Sequence, residues 1–308
     1  MPHDHSHHDH GAHGHHHAPT DMGRAFAIGV GLNLAFVLAE GGAGLWSGSM
    51  ALLADAGHNL SDVLALALAW GAAVLARRAP TGRRTYGLRK ATILASLANA
   101  VLLLVAVGAI VSESVRRVVE PAPVATTVVM LTAGLGVVIN TATALLFLRG
   151  QADLNVRGAF LHMASDAAVS LAVVIGAGVM AATGLLWIDP VLSLAIAAVI
   201  VLGTWGLLRD SIDLALDAAP KGIDVGKVRD WLGALPGVTE IHDLHIWAMS
   251  TTETALTVHL IRPAHGEPDA FLHACCDGLT KRFGIGHATI QVETDAGQAC
   301  KLAPAEVV

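Results

Sequence analysis

Six apolar runs, at residues 26–46, 51–76, 91–111, 124–148, 159–183 and 187–208, constrain this chain more than any other feature. Each is long enough to cross a hydrocarbon core of roughly 30 Å at about 1.5 Å per helical residue. Backbone polar groups in lipid must be satisfied within the segment, so each run is predicted to be a helix. Composition agrees. The 308 residues are 54% hydrophobic and 14% charged, far from the balance of a soluble domain. Ala, Val, Leu and Gly make up most of the apolar mass, and small residues of this kind let transmembrane helices pack closely.

The second run carries Asp55, His58 and Asp62 where lipid should be. Charge inside a membrane is costly, so such groups are expected to face a bundle interior and to serve a function. At 3.6 residues per turn the three share one face, and His58 and Asp62 stand one turn apart. An imidazole nitrogen and a carboxylate oxygen that converge on one point are half of a tetrahedral zinc site. The fifth run repeats the spacing with His162 and Asp166. Two facing helices would supply four ligands. The bland alternative, interhelical hydrogen bonds to Ser or Arg, does not explain why the same pair occurs twice. Asn33, Glu40, Asn99 and Asn140 are the other polar residues in the spans, and interhelical hydrogen bonding is their expected role. Glu40 is expected near the outer end of the first span, where a carboxylate costs less.

Charge gives the orientation. Residues 77–90 hold Arg77, Arg78, Arg83, Arg84, Arg89 and Lys90 with no acid, while the turns near Ser47 and Gly184 hold no base. By the positive-inside rule the basic loop is cytoplasmic, and with six crossings both termini lie on that side. Residues 1–20 contain nine of the seventeen His and are expected to be a disordered His-rich cytoplasmic tail that holds transition metals loosely. From Arg209 onward the chain has 8 basic and 14 acidic residues, an acidic balance that favours cations and argues against nucleic acid. Cys275, Cys276 and Cys300 do not form a disulfide framework, which suits a reducing compartment.

The remaining domain boundaries follow from hydropathy: a six-helix membrane domain at 21–208, a linker at 209–221, a cytoplasmic domain at 222–295 and a tail at 296–308. Within the cytoplasmic domain, 224–235 and 268–283 read as helices, and 238–249, 252–262 and 288–293 as strands. That is α-β-β-α-β. Alternation places Leu244, Ile246, Val258, Leu260, Ile290 and Val292 in its core, with His245, His259, Gln291 and Glu293 on the opposite face. His242 stands where the first strand begins, and alternation does not place it.

Five segments together resemble the cation diffusion facilitator family, its zinc-transporting branch in particular. They are G-S-M-A-L-L-A-D-A-G-H-N-L-S-D at 48–62, R-R-T-Y-G-L-R-K at 83–90, N-V-R-G-A-F-L-H-M-A-S-D at 155–166, W-I-D-P at 187–190 and I-H-D-L-H-I-W at 241–247. The resemblance covers nearly all of the chain after residue 20. It implies a homodimeric α-helical polytopic membrane protein with six transmembrane helices and a C-terminal α+β ferredoxin-like cytoplasmic domain, in the cytoplasmic (inner) membrane of a bacterium. It implies proton-coupled export of divalent metal, with His58, Asp62, His162 and Asp166 as the transport site. Members also bind metal in the cytoplasmic domain. His242 and His259 match two of those ligands, Asp269 or His273 lies near a third, and the last strand offers Gln291 and Glu293 where the family has a His and an Asp. The missing His argues against a two-metal site there. A docking surface without bound metal is the other reading of the same residues. The family's occasional extra site in the second cytoplasmic loop has no His, Asp or Glu to support it in residues 77–90.

Two neutral imidazoles and two carboxylates cancel the charge of Zn2+ and suit its tetrahedral preference, whereas all-carboxylate sites suit harder ions. Zinc is therefore the expected cargo, with Co2+ and Cd2+ secondary and H+ as counter-ion. Two rival functions are a non-transporting membrane metal sensor or partner protein and an intramembrane metallohydrolase. The hydrolase would need an open zinc position and a general base such as the Glu of H-E-x-x-H, and neither is present.

Overall fold

The structure is a computed structural model. It describes residues 20–146, 154–263, 267–294, 300 and 302, with residues 20–33, 146 and 154–159 described by their backbone alone. The expectations for the His-rich segment before Thr20, for the Asn33 side chain and for most of the tail after residue 294 lie outside the described residues.

Six long helices come first: α1 (Thr20–Ser47), α2 (Met50–Ala76), α3 (Ala91–Val119), α4 (Thr126–Leu146), α5 (Leu154–Thr183) and α6 (Ile188–Ala215). Among the described residues, α2 to α6 are each long and apolar enough to cross a membrane, and α1 contributes an apolar stretch at Leu34–Ser47. Leu38, Trp46, Trp70, Leu131, Leu202 and Trp205 point outward, as they should where the surrounding solvent is lipid. Two helices outrun their apolar runs. α3 continues through Glu113, Arg116 and Arg117, which pair with one another one turn apart. α6 continues to Ala215, so the first seven residues expected as linker are helical.

The turn between α1 and α2 fixes the position of everything that follows. Gly48 has φ +71, and Ser49 N-caps α2 by accepting from the Leu52 N–H at 3.1 Å. Asp189, in the first turn of α6, adds a second cap. Its carboxylate accepts from the Ser49 hydroxyl and from the backbone N–H of Met50 at 2.6 Å. The otherwise unpaired donors at the start of α2 are thus satisfied by a carboxylate from another helix.

The membrane-domain core lies at this same end, remote from the C-terminal domain. Ala51, Leu52 and Ala54 pack there with Leu103, Val107, Val129, Ala133, Val173, Ala177, Ile196 and Ile200. Toward the other end the packing opens into a cavity of about 790 Å³, walled by Ala65, Ala69, Ala73 and Ala76 of α2, by Thr92, Ala95 and Asn99 of α3, and by the loop at 77–90. Interhelical hydrogen bonding falls mainly to serines, Ser114 to Ser193 and Ser96 to Ser211, each at 2.9 Å. Glu40 makes the interhelical hydrogen bond expected of it: it is fully buried and accepts from Asn59 of α2 at 3.4 Å.

The C-terminal domain runs α7 (Val225–Gly233), β1 (Glu240–Ala248), β2 (Thr254–Ile261), α8 (Pro268–Phe283) and β3 (Ile285–Glu293). This is the expected α+β order. The sheet order is β1-β2-β3, with β1 and β2 antiparallel and β2 and β3 parallel across the α8 crossover. Ile246, Leu256, Val258, Leu260 and Ile285 form its core with Val228 and Leu232 of α7 and Leu279 of α8. Leu256 joins this core unforeseen, while Val292 stays half-buried outside it. Gly278 lets α8 approach α7 closely, since a Cβ there would sit 2.3 Å from the Trp231 ring. Two ion pairs at 2.6 Å, Arg89 to Glu253 and Lys90 to Asp217, tie the 77–90 loop to the turn between β1 and β2 and to the residues after α6.

Candidate functional site

In α2 the Ala-rich sequence sets His58 and Asp62 one turn apart on the face that also carries Asp55, and α5 presents His162 and Asp166 toward them. His162 Nε2 lies 3.3 Å from Asp62 and 3.6 Å from Asp166. His58 Nε2 lies 3.9 Å from each of the same two carboxylates. The imidazoles meet edge to face, with ring centroids 6.1 Å apart. All four residues expected at this site are therefore brought together from two helices 100 residues apart in sequence. Ligand atoms around a tetrahedral zinc are separated by roughly 3.3 Å, from bond lengths near 2.0–2.1 Å. Ligand atoms of His58, Asp62 and His162 all lie within 4.8 Å of one another, and Asp166 reaches the two histidines through different oxygens, Oδ1 to His58 and Oδ2 to His162. Asp166 is buried, while Asp62 and His162 are partly open. The face carrying His58 and Asp62 continues through Ala65, Ala69, Ala73 and Ala76, which line the 790 Å³ cavity.

Behind this cluster lies a second polar layer. Asp55 accepts from Ser170 at 3.0 Å, and Glu40 and Asp55 each keep one buried oxygen without a hydrogen-bond partner. Asp55 shares the face of His58 as the helical spacing requires, but its partner is α5 Ser170. Glu40 of α1 joins this layer through its hydrogen bond with Asn59.

The C-terminal domain holds a separate cluster. His242 Nε2 lies 3.3 Å from Glu293 Oε1, and His259 Nδ1 lies 3.2 Å from the same oxygen. Asp269 does not join them. It stands on the exposed first turn of α8, as does His273 one turn on. Two residues not foreseen take its place, Cys300, whose Sγ is 3.6 Å from His259 Nδ1, and Asp243, whose Oδ2 is 3.5 Å from His259 Nε2. A β-bulge between His242 and His245 accounts for the arrangement. Asp243 there has φ +49, the register slips, and His242 faces the same side as His259, its partner across the ladder. Burial alone would raise the Glu293 carboxyl, but hydrogen bonds from Cys300 and Gln291 and the neighbouring His242 outweigh it and hold it below its ordinary range. Cys275 differs: burial, then the adjacent Cys276, push its thiol up to about 11. It is a core thiol.

A membrane bundle with a His2Asp2 cluster between two helices, joined to a small α+β domain with a further cluster, defines a class of protein that handles divalent cations within a bilayer. Family comparison agrees in both parts. Residues 26–214 match the cation efflux transmembrane domain, and residues 220–295 match the cation efflux protein cytoplasmic domain. The chain belongs to the cation efflux family. It is 35% identical to the cation efflux system protein CzcD of Alcaligenes sp. strain CT14, over 95% of each chain. It is 36% identical to the zinc transporter ZitB of Escherichia coli K12, over 95% of this chain and 93% of that one. It is 32% identical to a cadmium, cobalt and zinc/H(+)-K(+) antiporter of Bacillus subtilis 168, over 85% of this chain and 86% of that one.

Proposed function

We propose that this protein is a proton-coupled exporter of divalent cations, with Zn2+ as first cargo and Co2+ and Cd2+ as secondary ones, that moves metal out of the cytoplasm as a homodimer. The observation that carries the reading is the convergence of His58, Asp62, His162 and Asp166 from α2 and α5. Two carboxylates and two neutral imidazoles balance a doubly charged, borderline-soft ion. The relatives named for zinc, cobalt and cadmium support the cargo, and the one named as an antiporter supports the coupling. The basic loop at 77–90 supports a cytoplasmic position for it, for the C-terminal domain and for both ends of the chain.

Carrying Zn2+ outward against an inside-negative potential costs about 4.6 kcal/mol per 100 mV, twice the roughly 2.3 kcal/mol of a single charge. Two protons moving inward cancel that electrical term. Because the metal binds deprotonated carboxylate and neutral imidazole, each loading step releases protons and each unloading step takes them up. Coupling therefore requires no residue beyond the ligands themselves. The single experiment is zinc flux in proteoliposomes under an imposed pH gradient. Flux that follows the gradient, and reverses with it, supports the reading. Stoichiometric zinc binding without flux would instead favour a non-transporting metal sensor.

A further inference from the structure

Arg77 and Arg78 follow directly on the last turn of α2, and both line the 790 Å³ cavity. We propose that this cavity binds one anionic phospholipid of the surrounding membrane, its phosphate at Arg77 and Arg78 and an acyl chain along the alanine face of α2. The reading is independent of transport at the four-residue cluster.

Charge is the first support. The charged residues of the lining are Arg77, Arg78, Arg89 and Glu253. Arg89 is answered by Glu253 at 2.6 Å, whereas neither Arg77 nor Arg78 has a side-chain partner among the described residues. Two positive charges are therefore left over. A guanidinium fork matches the oxygens of a phosphate, and basic pockets between transmembrane helices at the cytoplasmic side suit acidic headgroups. A basic loop alone would serve as an orientation signal, but that role does not require guanidiniums to line a cavity.

Depth is the second support. Ala65, Ala69, Ala73 and Ala76 give the cavity an apolar wall on α2. Ala65 to Ala76 spans about 16 Å at about 1.5 Å per residue, against roughly 15 Å for half of a hydrocarbon core of about 30 Å. The cavity thus runs from a basic mouth through about one leaflet. A free phosphate would occupy the mouth alone, while a phospholipid matches both parts. Ala69 and Leu207 line the cavity and are exposed, so it is not sealed. The third support is an unmet need. Asn99 of α3 lines the cavity, is only 8% exposed, and its amide has no hydrogen-bond partner among the described residues. A buried amide left so is costly, and an ester carbonyl of a lipid is an acceptor for it.

The test is native mass spectrometry of the full-length protein in detergent, offered phosphatidylglycerol or phosphatidylcholine with the same acyl chains. The unaltered chain should retain one phosphatidylglycerol and prefer it by at least about tenfold. Inorganic phosphate or glycerol phosphate in large excess should not displace it. Equal retention of the two lipids, or displacement by either soluble phosphate, would overturn the proposal, and both readings use the unaltered protein. Arg77→Gln with Arg78→Gln should erase the preference. Arg83→Gln with Arg84→Gln removes the same charge from the same loop at residues outside the lining, and should preserve it. An equal loss from the two pairs would mean that surface charge alone holds the lipid. Ala69→Trp should lower phosphatidylglycerol retention by narrowing the apolar wall; unchanged retention would remove the acyl chain from the cavity and overturn the assignment.

Discussion

The two clusters of ionisable side chains use the same residue types and are built in opposite ways. Between α2 and α5, each helix contributes a His and an Asp one turn apart, so each pair is held rigidly by its own backbone. Only the distance between the pairs can vary, and a small shift of one helix alters it. In the C-terminal domain the four groups come from the first strand, the second strand, the third strand and a residue seven positions beyond it. A cation there would join four parts of one small domain. The first construction suits release, and the second suits retention.

The largest expected effect tests this contrast directly. Asp62→Ala or Asp166→Ala should abolish zinc flux in proteoliposomes while Co2+ binding at the C-terminal cluster persists. Near-normal flux in either variant would remove the membrane cluster from the transport path. A second break is confined to the other region. Gly278→Ala would drive a methyl into the Trp231 ring, and overpacking of this kind costs about 1–3 kcal/mol. Thermal unfolding of the C-terminal domain should fall accordingly with the zinc-to-cadmium flux ratio unchanged; a changed ratio would mean that the sheet sets cargo choice.

Selectivity sharpens the comparison further. His58→Asp exchanges a borderline nitrogen for a hard oxygen, so flux of cadmium, iron or manganese relative to zinc should rise by roughly tenfold, about 1.4 kcal/mol of differential binding. His245→Asp should not reproduce it, because His245 hydrogen-bonds Asp243 at 2.8 Å on the sheet and stands outside both four-residue clusters. Competition flux with paired ions checks both, and equal shifts would defeat the assignment. Smallest of all should be deletion of residues 2–19. A loosely metal-binding tail raises local ion concentration but does not carry an ion across, so zinc flux should change by less than about twofold at saturating metal.

The difference in construction also explains what could be read from sequence. Helical periodicity is regular enough that a His and an Asp four residues apart specify a shared face, and the same pair on two apolar segments named the four residues that the fold brings near one another. Nothing comparable announces a bulge. Alternation along β1 fails where Asp243 takes positive φ, so the face of His242 could not be assigned from the sequence. Asp269, expected from the family resemblance, stands on the exposed first turn of α8 and outside the cluster. Cys300 carried no signal, since its place beside His259 rests on a tertiary contact that no local pattern encodes. The six spans and the α-β-β-α-β order were legible because they rest on length and period.

The Asp189 cap has a mechanical consequence. A helix anchored at Met50 by a carboxylate from α6 behaves as a lever with its fulcrum at that end. Along the rod at about 1.5 Å per residue, His58 stands roughly 12 Å from the fulcrum and Ala76 roughly 39 Å. Any sideways swing of the far tip, where the 77–90 loop is tethered through Arg89 and Lys90, therefore reaches His58 geared down to about a third of its size. A displacement of the far tip would therefore arrive at the ligands as a much smaller adjustment.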